Sequence, residues 1–417
     1  MKSLHLACAL LAASLCAFAQ NPPTPAADRA SAWRTDLDLL ARTFRGETSE
    51  PPLKDFERLY PPSTFNVEIG NLKRQARTLS DEELTLGLMH LVASAHVAHN
   101  SVASASPQSS TRLPFSLEWI GGHLVIVAAT GQYADLNGAE VLRFGPLSSA
   151  EFLNQIAPYV SYESRSWLLV KSGQYMVQEL FLRHFHLVEP DGRVLLTLRH
   201  PGSTEFTRSV PFVDFADRRI PFAEARHLAP NLAESHPGAI YWSQYLPDSG
   251  TYFIQYNACR EDPKLPFGRF VSQVAEDLDS HTVRRVVVDL RRNSGGNSEI
   301  VNSLIAALGQ HSRSTGKIYV LIGPTVFSSG VLDAGYLHRR LKAVLAGEPT
   351  GGVVDSYGEL SSLKLSASGT TVYYSTKHFG AHEHPKGALK PSLPTMATYE
   401  SFLAHRDLSL EAVLAAK

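Results

Sequence analysis

Apolar residues in the stretch from Ala32 to Phe44 (AWRTDLDLLARTF) recur at helical spacing. The same period continues through 66–76 and 81–95, so the first hundred residues are expected to be mainly helical. Ser80-Asp81-Glu82-Glu83 reads as a capped helix start, with acidic side chains at the positive end of the dipole. From His99 to Pro114 the chain turns Ser-rich (HNSVASASPQSSTRLP), and beyond Phe115 the period changes. FSLEWIGGHLVIVAAT carries two strand-like runs around Gly121-Gly122. GAEVLRFGPLSSAEFLNQIAPYV then predicts a strand, a turn and a helix, and RVLLTLRHPG a further strand. From Gly238 the pattern changes again. AIYWSQYLP and TYFIQYN read as strands, FGRFVSQVAEDLDS as a helix, and RRVVVDL as the near-continuous β-branched run of a strand buried on both faces. SEIVNSLIAALGQH, KIYVLI, VLDAGYLHRRL and KAVLAGEP then alternate helix, strand, helix, strand. That alternation predicts crossover βαβ units and an α/β core.

Composition adds little to this picture except at the N-terminus. The 417 residues are 44% hydrophobic and 19% charged, ordinary values for a globular chain of more than one domain. A formal net charge of −1 with no basic run argues against nucleic acid or an anionic membrane surface as the main partner. MKSLHLACALLAASLCAFAQ has a lysine at position 2, an apolar run from Leu4 to Phe18, and Ala17-Phe18-Ala19 before Gln20. This is the layout of a signal peptide with a small-x-small cleavage site, and the run is shorter than the ~20 apolar residues of a spanning helix. The expectation is an exported protein, periplasmic or secreted, with no integral membrane segment after cleavage. Removal of Cys8 and Cys16 would leave Cys259 alone, so no intrachain disulfide is expected.

Two stretches carry candidate chemistry. In RRVVVDLRRNSGGNSEIV a buried strand runs into a polar turn, then Gly295-Gly296, then a helix, which forms a nest of backbone N–H groups facing open space. The Walker lysine and the dinucleotide-binding spacing are both absent, so a nucleotide reading is weak. In IYVLIGPTVFSSGVLDAGYLHRRL, Ser328 and Ser329 stand where a buried strand hands over to a helix. A serine there is ordinarily an N-cap. Beside a glycine nest it also suits acyl transfer, whose developing oxyanion gains about 2.7–4 kcal/mol from each aimed donor.

These segments, followed in order by GEPTGG and the tail KPSLPTMATYESFLAHRDLSLEAVL, resemble the tail-specific (C-terminal processing) serine protease family, whose relatives include the tricorn core protease. The resemblance is strongest from Tyr252 to Leu414. It implies a Clp-protease/crotonase-like α/β core with an N-terminal helical cap and a degenerate PDZ-like β module. DLNGAEVLRFGPLSSAEF resembles that module's strand and following helix, although its usual carboxylate-binding loop is absent. The implied organisation is a signal peptide at 1–19, the cap at 20–110, the PDZ-like module at 111–235 and the protease core at 236–417.

The same resemblance names a site. Ser328 takes the nucleophile position, Ser329 and Gly295 or Gly296 the oxyanion hole, and the spacing from Ser328 to Thr350 supports the register. Val353 stands where the processing proteases carry a lysine base, which excludes a Ser/Lys dyad there and points to the tricorn-like branch. In that branch His99 takes the base position, with His96, three residues earlier on the same helical face, as its competitor. Glu359 in VVDSYGEL is the expected orienting acid and Asp355 the alternative; Ala98 replaces the hydroxyl residue that precedes the histidine in tricorn-like sequences. The implied substrate is a peptide or unfolded polypeptide, with no cofactor and no metal. The alternative is an inactive peptide- or ligand-binding protein on the same scaffold.

The remaining candidates read as structural. Asp289 is expected to buttress the Gly-Gly turn, and Arg291 and Arg292 to be solvated or ion-paired in it. His378, His382 and His384 in HFGAHEHP lack a helical ligand pair and read as a surface loop. Lys364 reads as a strand lysine, and Trp119, Trp167 and Trp242 as core or groove residues.

Overall fold

A computed structural model of the chain describes residues 26–104, 110–214, 222–224, 231–236, 238–312, 314–366, 368–380 and 387–416. The leader expected at 1–19, with Cys8 and Cys16, lies outside them, as do His382 and His384.

The C-terminal part is built on a six-stranded sheet. Its order is Tyr241–Leu246, Thr251–Tyr256, Arg285–Asp289, Lys317–Ile322, Val344–Gly347 and Leu393–Pro394. The first pair is antiparallel and the rest are parallel. The run of valines in RRVVVDL is explained by burial on both sides. Val286 and Val288 face the helices Phe267–Ser280, Val301–Gln310 and Ser329–Leu341, while Val287 faces Leu410 and Val413 of the tail helix Leu408–Ala415. That tail helix is clamped to the sheet by charge. Arg291 donates to both oxygens of Asp407 at 2.7 Å and to the fully buried Asp289 at 2.6 Å.

The N-terminal helices Ala26–Phe44, Pro62–Gln75 and Asp81–Ala93 form the expected cap, and Ser80 and Glu83 make a reciprocal capping box at the start of the last one. The cap does not have a core to itself. Trp33, Phe44, Phe65 and Leu91 pack with Tyr357, Leu363, Val372 and Tyr374 of the long hairpin Ser356–Leu365/Thr370–Phe379. Strand Ser101–Ala103 also pairs with that hairpin, Ser101 opposite Tyr373. The buried Asn100 Oδ1 accepts from the N–H and the hydroxyl of Ser375 at 2.9 and 3.0 Å. Residue 99 is thus carried onto the C-terminal part by hydrogen bonds made on either side of position 101.

The middle part is a seven-stranded, largely antiparallel sheet with helices Ser149–Ile156, Arg165–Met176 and Glu179–His184. Only the first of these helices was anticipated. Arg165–Met176 lies so close to strand Phe115–Ile120 that a Cβ on Gly173 would sit 2.2 Å from the Leu117 carbonyl oxygen. Tyr399 in the C-terminal tail donates to the Gly138 carbonyl at 2.6 Å and fastens this part to the core. No helix among the described residues is long and apolar enough to cross a membrane.

Candidate active site

The site is assembled at the carboxyl edge of the parallel sheet, where the chain leaves Asp289 and Ile322. After Ile322 it turns through Gly323–Phe327, held by the Phe327 N–H donating to the Asn293 carbonyl at 3.1 Å. Ser328 then occupies the N-cap position of helix Ser329–Leu341 with φ 52° and ψ −130°. An N-cap serine ordinarily has extended backbone and uses its oxygen to accept from a free N–H of the first turn. Ser328 does neither, since its side chain makes no capping hydrogen bond. Backbone strain of this kind costs on the order of 1–3 kcal/mol and persists where the surrounding structure enforces it. The half-buried hydroxyl is thereby presented at the helix N-terminus, where the dipole favours developing negative charge.

The glycine pair lies directly against this elbow. Gly295 and Gly296 have φ of +110° and +134°. A Cβ on Gly295 would stand 2.7 Å from the Ser328 Cβ and 3.0 Å from the Ser329 nitrogen, and one on Gly296 would meet the Cys259 carbonyl oxygen at 2.2 Å. The Gly295 N–H donates to Asn293 Oδ1 at 2.9 Å. The N–H groups of Gly296 and Ser329 have no acceptor among the described residues and remain free to donate. Ser329 contributes twice, because its hydroxyl also donates to the Gly296 carbonyl at 2.6 Å and keeps the nest against the helix start.

A buried polar cluster supports the nest from below. The Cys259 thiol lies 3.0 Å from Asp333 Oδ2 and 3.2 Å from Asn293 Oδ1, and Asn293 donates to the Tyr256 carbonyl at 3.1 Å. Burial pushes the Asp333 carboxyl up to about 8, and burial likewise raises the Cys259 thiol. Asp333 is therefore a neutral acid at pH 7. A Cβ on Gly330 would sit 2.5 Å from the Asn293 carbonyl oxygen, which is why the helix begins Ser-Gly.

His99 meets the elbow through Phe327, the residue before Ser328, with ring centroids 4.5 Å apart. Burial lowers its pKa to about 4. The imidazole is neutral at working pH and able to accept a proton. Its Nδ1 is buried with no hydrogen-bond partner among the described residues. The competitor His96 does not share a helical face with it. The helix ends at Ala93, and His96 takes a left-handed conformation (φ 51°) that turns its exposed ring to Tyr162.

Neither expected acid is on His99. Glu359 lies in the hairpin between the pairs Gly358↔Lys377 and Leu360↔Ser375, opposite Thr376 with the register unbroken, but its φ is 53°. Its carboxylate faces solvent, where the side chain is 62% exposed and 3.3 Å from the Lys377 ammonium. What the hairpin brings to the histidine is backbone: a Cβ on Gly358 would lie 3.8 Å from His99 Nε2. Asp355 is paired with His378 at 2.8 Å. The carboxyl found beside the histidine loop is Glu163 from the middle part, whose Oε1 accepts from the Ala98 N–H at 3.2 Å. No motif or period in the sequence singled it out.

The same segment of the middle part builds one wall. Trp167 stacks face to face on Phe327 at 4.0 Å and 6°, and the Ser164 hydroxyl donates to the Gly351 carbonyl. Thr350 is buried and structural: its hydroxyl donates to the Gly352 carbonyl at 2.8 Å and accepts from the Leu389 N–H at 2.9 Å. Val353 is 8% exposed and apolar, so it leaves the base position to another residue. Asp289 accepts from the Arg291 N–H at 2.9 Å, which holds the turn after its strand, and Lys364 is an exposed strand residue.

These features define the class: an α/β fold carrying a strained serine elbow beside a glycine nest at the carboxyl edge of a parallel sheet. No protein-family model matches the sequence, and no curated protein matches it. Among solved structures, mature CPAF complexed with lactacystin aligns with a TM-score of 0.64 and 13% identity, covering 92% of this chain and 97% of that one. A second structure of mature CPAF aligns at 0.63 and 13%, covering 92% and 96%. The photosystem II D1 C-terminal processing protease aligns over 91% of this chain with a TM-score of 0.38 and 12% identity. The chain has the CPAF fold, the mixed α/β architecture that the tail-specific protease resemblance implied.

Proposed function

We propose that this protein is an exported serine peptidase that hydrolyses peptide bonds of polypeptide substrates. Ser328 Oγ attacks the carbonyl carbon while His99 takes its proton. The tetrahedral oxyanion is held by the N–H groups of Gly296 and Ser329, supported by the helix dipole. His99 then returns the proton to the leaving amine, and water releases the acyl group by the same route in reverse. Val353 closes the lysine route, so the imidazole carries the proton alone. The observation that carries this reading is Ser328 itself, an N-cap serine in a strained conformation that performs no capping and packs against a Gly-Gly nest in which the Gly296 N–H is free.

The direct experiment compares the mature chain with Ser328→Ala on an unfolded polypeptide such as casein. Proteolysis by the wild type and none by the variant, at unchanged thermal stability, supports the assignment; equal proteolysis by both removes it. Lactacystin, seen bound to CPAF, is a rational first inhibitor. Export rests on the N-terminal leader pattern and is tested by fractionating cells that express the full chain.

One observation favours a second reading, a peptide-binding protein without turnover. Glu359 pairs with Lys377 and Asp355 with His378, so neither steers His99. On that reading Ser328 resists a fluorophosphonate probe while peptides still bind.

A further inference from the structure

We propose that Glu163, supplied by the middle part of the chain, is the positioning residue for His99, its free carboxylate oxygen accepting the imidazole Nδ1–H. This rests on the peptidase reading of Ser328 and His99 and adds the third group that reading lacks.

The argument begins with two unpaired atoms. His99 Nδ1 and Glu163 Oε2 are both buried, and neither has a hydrogen-bond partner among the described residues. Leaving either group so is unfavourable, more so when it is charged. They belong to one neighbourhood, because the other oxygen of the same carboxyl accepts from the N–H of Ala98, the residue before His99. The titratable groups around the imidazole are His96 on its own loop, Tyr162 and Glu163 from the middle part, and Asp355, Glu359 and His378 from the hairpin. His96 is exposed against Tyr162, Asp355 is paired with His378, and Glu359 points to solvent beside Lys377. Glu163 alone combines burial, proximity and an unused acceptor. Its segment is anchored: Ser164 bonds the Gly351 carbonyl, and Trp167 stacks on the Phe327 ring that His99 also touches.

Titration supports the same pair. Burial raises the Glu163 carboxyl to about 7, with Asp355 adding to the rise and the Ala98 N–H opposing it. The carboxylate form that can accept from Nδ1–H therefore dominates only above neutral pH. Wild-type activity is expected to fall as pH drops through about 7, well above the value near 4 at which the imidazole itself takes a proton.

Glu163→Gln is the informative variant, because its side-chain oxygen can still accept from Ala98 N–H while the charge is gone. Two readouts are taken on the mature chain: the rate at which a fluorophosphonate labels Ser328 across pH, and the ring resonances of His99 in histidine-labelled protein. The proposal expects labelling at pH 8 to slow by about 100-fold. It also expects the acid limb to move from near 7 toward 4, the His99 transition near 7 to vanish, and Glu163→Asp to recover part of the rate. An unchanged His99 titration together with an unchanged labelling profile overturns it. If the wild type does not label at all, the peptidase reading fails, and the His99 titration still decides whether Glu163 and the imidazole are coupled. Equal thermal stability of wild type and Glu163→Gln excludes a merely structural loss.

Discussion

Gly295→Ala isolates the contact between the nest and the nucleophile. At φ +110° any L-residue is strained by about 1–3 kcal/mol. The larger effect is steric. The new methyl would stand 2.7 Å from the Ser328 Cβ, 3.0 Å from the Ser329 nitrogen and 3.2 Å from the Phe327 carbonyl oxygen, all atoms fixed by backbone and unable to swing away. Reaching an ordinary carbon–carbon contact of about 3.5 Å requires the loop to retreat by roughly 1 Å. A displacement of that size at a reacting centre costs about 100-fold in rate, and loss of an oxyanion donor about 10²–10³-fold. Gly122→Ala is the control, because its φ is +89° but a Cβ there meets nothing within 4 Å. Both variants are expected to melt a few degrees lower, at a penalty of about 1–3 kcal/mol. Only Gly295→Ala should lose fluorophosphonate labelling and peptide hydrolysis, by at least about 100-fold. Wild-type labelling in Gly295→Ala, with the Gly122→Ala melt lowered as expected, would refute the argument that the nest is part of the catalytic machinery.

Two further predictions concern the frame. Arg291→Ala leaves Asp289 and Asp407 buried without their shared cation, and urea unfolding should show a loss of about 3–5 kcal/mol. Burial alone would raise the Asp407 carboxyl, but Arg291 holds it below its ordinary range. The stability it contributes is therefore present above about pH 4 and is lost as pH falls further; in Arg291→Ala that dependence should disappear from the acid-unfolding curve. Asp333→Asn should behave differently. The folded-state pKa of Asp333 is raised to about 8 by burial, so the native protein keeps a proton that the unfolded chain releases near pH 4. Wild-type stability falls as pH rises between those values. The neutral amide removes that slope, so Asp333→Asn should melt at or above wild type at pH 8, with the cleavage rate at pH 7 little changed.

Much of the core was legible because its signal is local and periodic. RRVVVDL and KIYVLI are runs that a strand buried on both faces requires, and the amphipathic stretches between them could only be crossover helices. Ser328 and the Gly-Gly nest stood out because a serine pair and a glycine pair each stand where a buried strand hands over to a helix. The middle part was less legible. RSWLLVKSGQYM mixes apolar and polar residues because it packs on a strand on one side and is only partly covered on the other, so its period is weak. Glu359 misled for a geometric reason. In a regular strand the alternation of faces fixes where a side chain points, but Glu359 takes a left-handed backbone conformation within the strand (φ 53°) and its carboxylate stands in solvent. Glu163 was invisible for another reason. It reaches the histidine loop across 65 positions, through docking of one part of the chain on another, and such contacts leave no periodic trace. His96 competes with His99 only if one helix carries both, and the helix stops at Ala93.

The measurement that bears most directly on the account is the site of covalent labelling. The mature protein is treated with a fluorophosphonate at pH 8, digested, and the modified peptide sequenced by mass spectrometry. The account predicts a single adduct on the Ser328 hydroxyl, absent from His99→Ala. An adduct on Ser329 or on another serine, or labelling that persists at full rate in His99→Ala, would contradict it.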